Sequence, residues 1–217
     1  MTPDTDRIDA YCAEFERQAD RLRQRGYPAL AGMTERAFRQ NIEPLGARVA
    51  ELAESDASTD PDRIPFVIVY RSDALAREAA MGRVDRKGKQ GFTVLEPDDL
   101  RRFEPIKALA LPAAPAYLLA DIDTGMGTRN VTPDDALSGF RESGRTPLTV
   151  DEGIALVTHF PDTIRKGHGY SLLGSRCGDR RVCALWISDG RPKLGWCWAG
   201  NPHTWLGSAS AAGRIGP

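Results

Sequence analysis

Apolar residues near the start of the chain recur every three or four positions, which is the spacing of one face of an α-helix. The first such stripe comprises Ile8, Cys12, Phe15, Ala19 and Leu22. It places Cys12 among the buried residues of a helix, where the thiol has no chemical role. Gly26 ends this helix, and helical spacing interrupted by Pro44 continues beyond it. We therefore predict a mostly helical segment over residues 1–54.

Two continuous apolar runs after the helical segment predict buried strands. They are Ile64–Tyr70 and Ala116–Ile122. Residues 55–63 are mostly Ser, Thr, Asp and Pro, so they predict a connecting loop. Residues 83–91 are charged and contain glycine, and they predict a mobile loop.

Two further helices have clear N-terminal signals. Thr132 precedes Pro133, and proline is favoured at the first position of a helix. Thr149 and Glu152 have the spacing of a capping box, in which each side chain bonds the backbone of the other residue. His159 lies near the end of this second helix, and we expect it at the surface together with His168.

From Tyr170 onwards the apolar period changes to two, which is typical of strands. Short strands are predicted over residues 172–173, 182–188, 194–199 and 204–208, with turns at 190–192 and 200–202. The pattern indicates a C-terminal antiparallel β-meander. With helices first and strands later, the predicted class is α+β. Residues 64–217 form the α+β domain that carries the site, and residues 1–54 either accompany it or belong to the same domain.

The composition is that of an ordinary globular protein, with 217 residues of which 41% are hydrophobic. No apolar run reaches the roughly 18 residues of a membrane span, so we predict no membrane partner. The first nine residues are too polar for a signal peptide. We expect a cytoplasmic location, where the four cysteines stay reduced.

Charge is distributed unevenly, although the net charge is only −1. Residues 163–217 contain 8 basic and 2 acidic side chains. This excess indicates either a surface that faces an anion or ordinary solvated charge. The near-neutral total argues against nucleic acid as a partner, despite the tryptophans, on which bases could stack. Neither GxGxxG nor GxxxxGK[ST] occurs, and we predict no cofactor and no metal; the pair Asp121 and Asp123 is the weaker, magnesium-binding alternative.

Residues suited to binding an anion are concentrated in residues 174–210. A glycine- and arginine-rich loop offers backbone N–H groups and guanidinium donors, and all four tryptophans follow it. The alternatives are a plain arginine-bearing turn and a tryptophan-rich sheet core. The predicted substrate-binding residues are Arg176, Arg180, Arg181, Ser175, Asn201, Trp196, Trp198 and Trp205.

The same stretch supplies candidate catalytic residues. His203 or Asp179 would move a proton. Cys177 and Cys197 are candidate nucleophiles if a histidine lies within hydrogen-bond reach; otherwise they are small buried side chains. We expect Arg176, Arg180, Arg181 and His203 to converge on one pocket rimmed by tryptophans.

The block over residues 174–208 resembles an actinobacterial domain-of-unknown-function family, DUF5701. Shorter segments that carry the resemblance are residues 25–30, 64–67, 130–133 and 145–149. Cys183 stands where the family usually has proline, which gives Cys183 no essential role; Cys177 and Cys197 match. The resemblance implies a place in natural-product gene clusters, including those that build strained nitrogen rings.

These observations together predict a small-molecule tailoring enzyme of specialised metabolism with lyase- or transferase-like chemistry, in antibiotic biosynthesis for example. Its substrate, free or carrier-linked, would bear a sulfate or phosphate that leaves by elimination or intramolecular ring closure. The alternative is a non-catalytic binding or scaffold protein, which would dock an acidic protein partner on its basic, tryptophan-rich C-terminal face.

Overall fold

The computed structural model describes residues 5–55 and 63–217 and confirms the α+β class. The predicted loop over residues 55–63 falls mostly on residues 56–62, which lie outside the described residues. The helices are α1 Thr5–Gln24, α2 Tyr27–Leu30, α3 Glu35–Ile42, α4 Leu45–Ser55, α5 Arg77–Arg83, α6 Pro97–Arg101, α7 Pro133–Glu142 and α8 Val150–His159, with 3₁₀ turns at Met126–Thr128 and Pro161–Thr163.

The strands are β1 Ile64–Tyr70, β2 Asp85–Arg86, β3 Lys89–Gln90, β4 Phe92–Thr93, β5 Glu104–Pro105, β6 Ala116–Ile122, β7 Thr146–Pro147, β8 Gly169–Leu172, β9 Ser175–Arg176, β10 Arg181–Ser188, β11 Arg191–Trp198, β12 Leu206–Ser208, β13 Ser210–Ala211 and β14 Gly213–Ile215.

Two sheets form the framework. The first has the order β1-β6-β14 and is antiparallel throughout. The second has the order β12-β8-β10-β11-β4. Its three central strands are antiparallel, as the alternating pattern predicts, while β12 and β4 add parallel pairs at its edges. Three two-stranded pairs, β2–β3, β5–β9 and β7–β13, complete the pairing.

Helix α8 is buried on all sides, which explains why its sequence is apolar with little polar periodicity. It packs against β1 on one side and against Leu172 of β8 on another. A Cβ atom on Gly153 would lie 2.4 Å from a methyl carbon of Leu172. Only glycine therefore allows α8 to approach the five-stranded sheet this closely.

One hydrophobic core joins the N-terminal helices to the rest of the chain. It extends from Phe15 of α1 through β1 and α8 to Ala211 of β13. Gln18 of α1 strengthens this contact: its side chain donates to the carbonyl oxygen of Phe66 and accepts from the amide of Ile68. Since β1 is an edge strand, these bonds satisfy backbone groups that would otherwise lack partners.

Three expectations about local structure are wrong. Cys12 is exposed, because the buried stripe of α1 passes through Tyr11 instead. His159 and His168 are both buried and hydrogen-bonded. The predicted loop over residues 83–91 is the end of α5 followed by the β2–β3 hairpin. No helix among the described residues is long and apolar enough to cross a membrane.

The side chain of Glu152 joins several elements inside the protein. Its carboxylate accepts from the amide of Thr149 at 2.7 Å, which completes the predicted capping box. It also accepts from the hydroxyl of Tyr117 in β6 at 3.0 Å and from the guanidinium of Arg214 in β14 at 2.5 and 2.8 Å. Burial alone would lower the pKa of Arg214, but the bonds to Glu152 raise it.

Replacing Arg214 by alanine should strongly destabilise the protein, because Glu152 would remain as an unpaired buried charge. We expect a loss of about 3–5 kcal/mol of unfolding free energy. The double variant Glu152→Gln, Arg214→Met removes both charges, keeps a capping side chain, and should recover part of this loss. Urea unfolding of both variants measures the difference; equal stability of the single variant and the parent would refute the role of the pair.

Acid should destabilise the protein through His159. Burial, together with the positive charges of Arg17 and Arg21, lowers the pKa of this histidine to about 3, although its hydrogen bond to Ile68 acts in the opposite direction. The unfolded state therefore binds more protons than the folded state between pH 6.5 and about 3. We expect unfolding free energy to fall by about 1.4 kcal/mol per pH unit over this window on account of His159 alone.

The variant His159→Gln keeps a donor for the carbonyl oxygen of Ile68 but does not titrate, so its stability should depend less steeply on pH. Thermal unfolding of both proteins from pH 7 to pH 4 measures the two slopes. Identical slopes would contradict the assignment.

Candidate functional site

Arg181 in the predicted anion-binding loop is already paired with carboxylates. Its guanidinium donates to Asp99 of α6 at 2.6 and 2.9 Å and to Asp179 at 3.0 Å. It also lies 5.6 Å from the ring centre of Phe103 and 5.7 Å from that of Trp196. These contacts hold the side chain in place and leave it little capacity to bind a separate anion.

Asp179 is poorly suited to accept a proton. Hydrogen bonds from the side chain and backbone of Arg181 hold the pKa of this carboxyl well below its usual range. The thiol of Cys177 also donates to it, at 3.1 Å. A strongly stabilised carboxylate is a weak base, so the geometry gives Asp179 the role of orienting Arg181.

Arg176 extends to the opposite side of the five-stranded sheet from Arg181. Its guanidinium lies 3.2 Å from Asp134 of α7. Helix α7 packs on the face that carries Val182, and this residue alternates with Arg181 along β10. Adjacent residues of a strand point to opposite faces, so the two arginines do not meet in one pocket.

Other members of the predicted pocket lie around the turn that follows β11. Arg180 is exposed, with its guanidinium against the backbone at Gly200, and Asn201 is exposed in the turn that follows. The imidazole of His203 lies 5.5 Å from Trp205, and its buried Nε2 atom has no hydrogen-bond partner among the described residues. Because Arg176 and Arg181 lie on opposite faces of the sheet, Arg176, Arg180, Arg181 and His203 do not all converge on one pocket.

Ser175 has a structural contact instead of a free hydroxyl. It is fully buried, and its hydroxyl oxygen accepts from the amide of Val150 at 3.1 Å. Val150 is the first residue of α8, and the early amides of a helix have no partner within the helix. Ser175 thus satisfies one of these amides.

The cysteines of the predicted site are thiols rather than thiolates. Burial raises the pKa of Cys177, and a hydrogen bond to Asp179 raises it further. Burial also raises the pKa of Cys197 and, more strongly, that of Cys183. Because the thiolate is the nucleophile, these environments disfavour nucleophilic catalysis.

The four tryptophans occupy two separate places. Trp196 and Trp198 point from the same face of β11 and are 37% and 46% exposed, with ring centres 4.8 Å apart. Trp186 and Trp205 contact each other edge to face at 6.1 Å elsewhere on the five-stranded sheet. Trp205 therefore does not share a pocket wall with Trp196 and Trp198.

Within residues 5–55 and 63–217, no group of three or more His, Cys, Asp or Glu side chains could hold a metal ion. The magnesium pair considered from the sequence has other partners. Asp121 accepts from Arg63 and Arg145, and Asp123 accepts from the amide of Gly125. These contacts give both carboxylates structural roles.

A cavity of about 830 Å³ lies where β1 ends. Its volume falls in the range of small-molecule sites. The walls come from the segment after β1, the start of α5, the end of α6, the segment before β6 and the first turn of α8. The lining residues include Arg71, Ser72, Asp73, Arg77, Glu78, Arg101, Glu104, Pro115 and Asp151. We refer to this cavity as the Arg71 cleft.

Arg77 and Asp151 form the rigid part of the Arg71 cleft. They make a two-bond ion pair at 2.8 and 2.9 Å. Arg77 also donates to the carbonyl oxygens of Leu100 and Phe103. Burial alone would lower the pKa of Arg77, but the hydrogen bonds to Asp151 raise it. The pair ties α5 to α8 and the end of α6, and so fixes three walls.

Three other polar groups of the Arg71 cleft have no side-chain partner among the described residues. Arg71 and Glu78 make no ion pair with any described residue, and the buried hydroxyl of Ser72 has no hydrogen-bond partner among them. The hydrophobic pattern of the sequence does not single out this segment. The available signal was the polar triplet of residues 71–73, which follows a buried strand directly.

The fold and the cleft define an α+β protein with a polar cavity beside a buried helix. Residues 21–217 match the model of a family of unknown function, DUF5701, and the chain belongs to this family. This match confirms the family that the sequence blocks resemble. Searches of the curated proteins and of the solved structures found no match.

The cysteine environments predict how the thiols react. Cys12 is exposed, whereas Cys177 and Cys183 are buried and Cys197 is partly buried with a raised pKa. We expect one thiol of the native protein to react rapidly with an aromatic disulfide reagent and the others to react only on unfolding. Replacing Cys12 by serine should abolish the rapid phase; a rapid phase that persists in this variant would contradict the prediction.

Proposed function

We propose that this protein is an enzyme that binds a small molecule bearing both an anionic group and an amine, and that the Arg71 cleft is its active site. The observation that carries the proposal is that one cavity contains a cation and carboxylates that make no ion pair with the described residues. Arg71 supplies the positive charge, and Asp73 and Glu78 supply the negative charges. A molecule with both charges complements such a cleft better than a simple anion does.

The Arg71 cleft also suits the chemistry that the family resemblance implies. In ring closure, the amine nitrogen attacks the carbon that bears a sulfate or phosphate ester. The C–N bond forms, the C–O bond breaks, and the anion leaves with the electron pair. Arg71 stabilises the charge that develops on the leaving group, and Glu78 accepts the proton from nitrogen. The ion pair of Arg77 and Asp151 holds the walls of the cleft in fixed positions relative to the substrate.

The location of the site differs from the one that the sequence pattern favoured. Arg176 and Arg181 have carboxylate partners, whereas Arg71 has none among the described residues. An arginine without a partner retains its full capacity for a charge-assisted bond to a ligand. The free thiols support the further proposal of a cytoplasmic location, since disulfides are rare there.

One observation favours a second candidate function. The side chains of Trp196 and Trp198 on β11 form an exposed aromatic pair. Arg180, which immediately precedes the neighbouring strand β10, is also exposed. Tryptophan and arginine are common anchors of protein interfaces. This face would dock an acidic protein partner, such as a carrier that delivers the substrate.

Binding of a model compound tests the Arg71 cleft. 2-Aminoethyl sulfate carries both charges, while sulfate and ethanolamine each carry one. Calorimetry should show that 2-aminoethyl sulfate binds more tightly than either half. Arg71→Ala should weaken this binding about ten- to a hundredfold, the equivalent of one charged hydrogen bond.

The matched control is Arg180→Ala, which removes an exposed arginine of the site favoured by the sequence pattern. It should bind like the parent protein. The opposite result, in which Arg180→Ala weakens binding and Arg71→Ala does not, would show that the compound binds at the C-terminal loop instead. Release of sulfate from the model compound, lost in Glu78→Gln, would support catalysis in addition to binding.

A further inference from the structure

A second cavity, of about 660 Å³, lies beside the β10–β11 hairpin and shares no residue with the Arg71 cleft. Its lining includes Trp186, Trp205, Arg86, Lys166, Asp189 and Gly190. We call it the tryptophan pocket. None of its residues takes part in the proposed reaction.

Two indole rings form the aromatic part of the tryptophan pocket. Trp186 and Trp205 meet edge to face, with ring centres 6.1 Å apart and planes at 68°. Trp186 is held in position by Gly195 on the neighbouring strand, where a Cβ atom would lie 2.3 Å from the indole. Trp205 remains 37% exposed. The pocket therefore presents aromatic surface in a fixed geometry, which favours stacking of a planar ring.

Positive charge surrounds these rings. Lys166 lines the pocket, and the ammonium group of Lys193 lies 5.2 Å from the ring centre of Trp186. The ammonium group of Lys89 lies beside Gly190. No carboxylate of the described residues forms an ion pair with any of these lysines. Arg86 is bound to Asp162 at 2.9 Å, which neutralises its charge. Among the described residues that line the pocket, Asp189 is the only one with a carboxylate.

We propose that the tryptophan pocket binds a planar aromatic anion, with its ring against Trp186 and Trp205 and its phosphate or carboxylate held by Lys166. Aromatic surface alone would accept a neutral ring, and lysines alone would accept any anion. The combination selects molecules that contain both groups. Asp189 adds an acceptor for a ring N–H or amino group.

Two probes test this proposal and distinguish an aromatic phosphate from an aromatic carboxylate as the ligand. Adenosine monophosphate represents aromatic phosphates, and 1-naphthoate represents aromatic carboxylates. Stacking should quench tryptophan fluorescence, and calorimetry should confirm the affinity of each probe. We expect saturable binding of at least one probe, with weaker binding of adenosine and of inorganic phosphate. The tighter of the two probes identifies the anionic group.

Variants of single residues test whether the probe binds in the tryptophan pocket. Trp205→Ala should weaken binding roughly five- to a hundredfold, the range for loss of one stacking platform. Lys166→Glu, at an exposed position, should weaken binding of the anionic probes but not of adenosine. Trp198→Ala is the matched control, since Trp198 is also an exposed tryptophan but lies elsewhere on the five-stranded sheet. Arg71→Ala should also leave this binding unchanged.

Either of two results would overturn the proposal. One is the absence of saturable binding of both probes at concentrations on the order of millimolar. The other is an equal loss of binding in Trp198→Ala and Trp205→Ala. Circular dichroism of each variant establishes that the fold is intact, and Lys166→Glu provides the test should Trp205→Ala fail to fold.

Discussion

The buried carboxylate of Glu152 determines how the parts of this protein fit together. It caps α8, binds the hydroxyl of Tyr117 in β6 and pairs with Arg214 in β14. A charge in this position is tolerated only because all of these donors converge on it. The start of the central helix is thereby fixed against the three-stranded sheet.

The Arg71 cleft depends on that arrangement. Asp151 precedes Glu152 in the first turn of α8, so the bonds that hold Glu152 also orient Asp151. Asp151 in turn holds Arg77, which reaches the carbonyl oxygens at the end of α6. Contacts to two adjacent residues of α8, Glu152 and Asp151, thus connect the centre of the fold with the walls of the cleft. Such support from neighbouring groups is what keeps a binding site in one geometry.

Pairing also decides which arginines are available to a ligand. The C-terminal part of the chain is rich in basic residues, but Arg181 and Arg176 bind carboxylates contributed by α6 and α7. These carboxylates lie 82 and 42 residues away along the chain. A local excess of positive charge therefore says little about a free cationic surface, because distant segments can neutralise it. Arg71 lies outside this basic part of the chain and makes no ion pair with the described residues.

The sequence by itself determined the features that depend on neighbouring residues: the capping box of Thr149 and Glu152, the two buried strands, the change from helical to strand period, and the family. Tertiary structure decided the rest. The stripe of α1 passes through Tyr11 rather than Cys12, and His159 is buried, because packing against β1 sets the buried face. The Arg71 cleft and the tryptophan pocket arise where segments distant in sequence meet, and no local pattern encodes such a meeting.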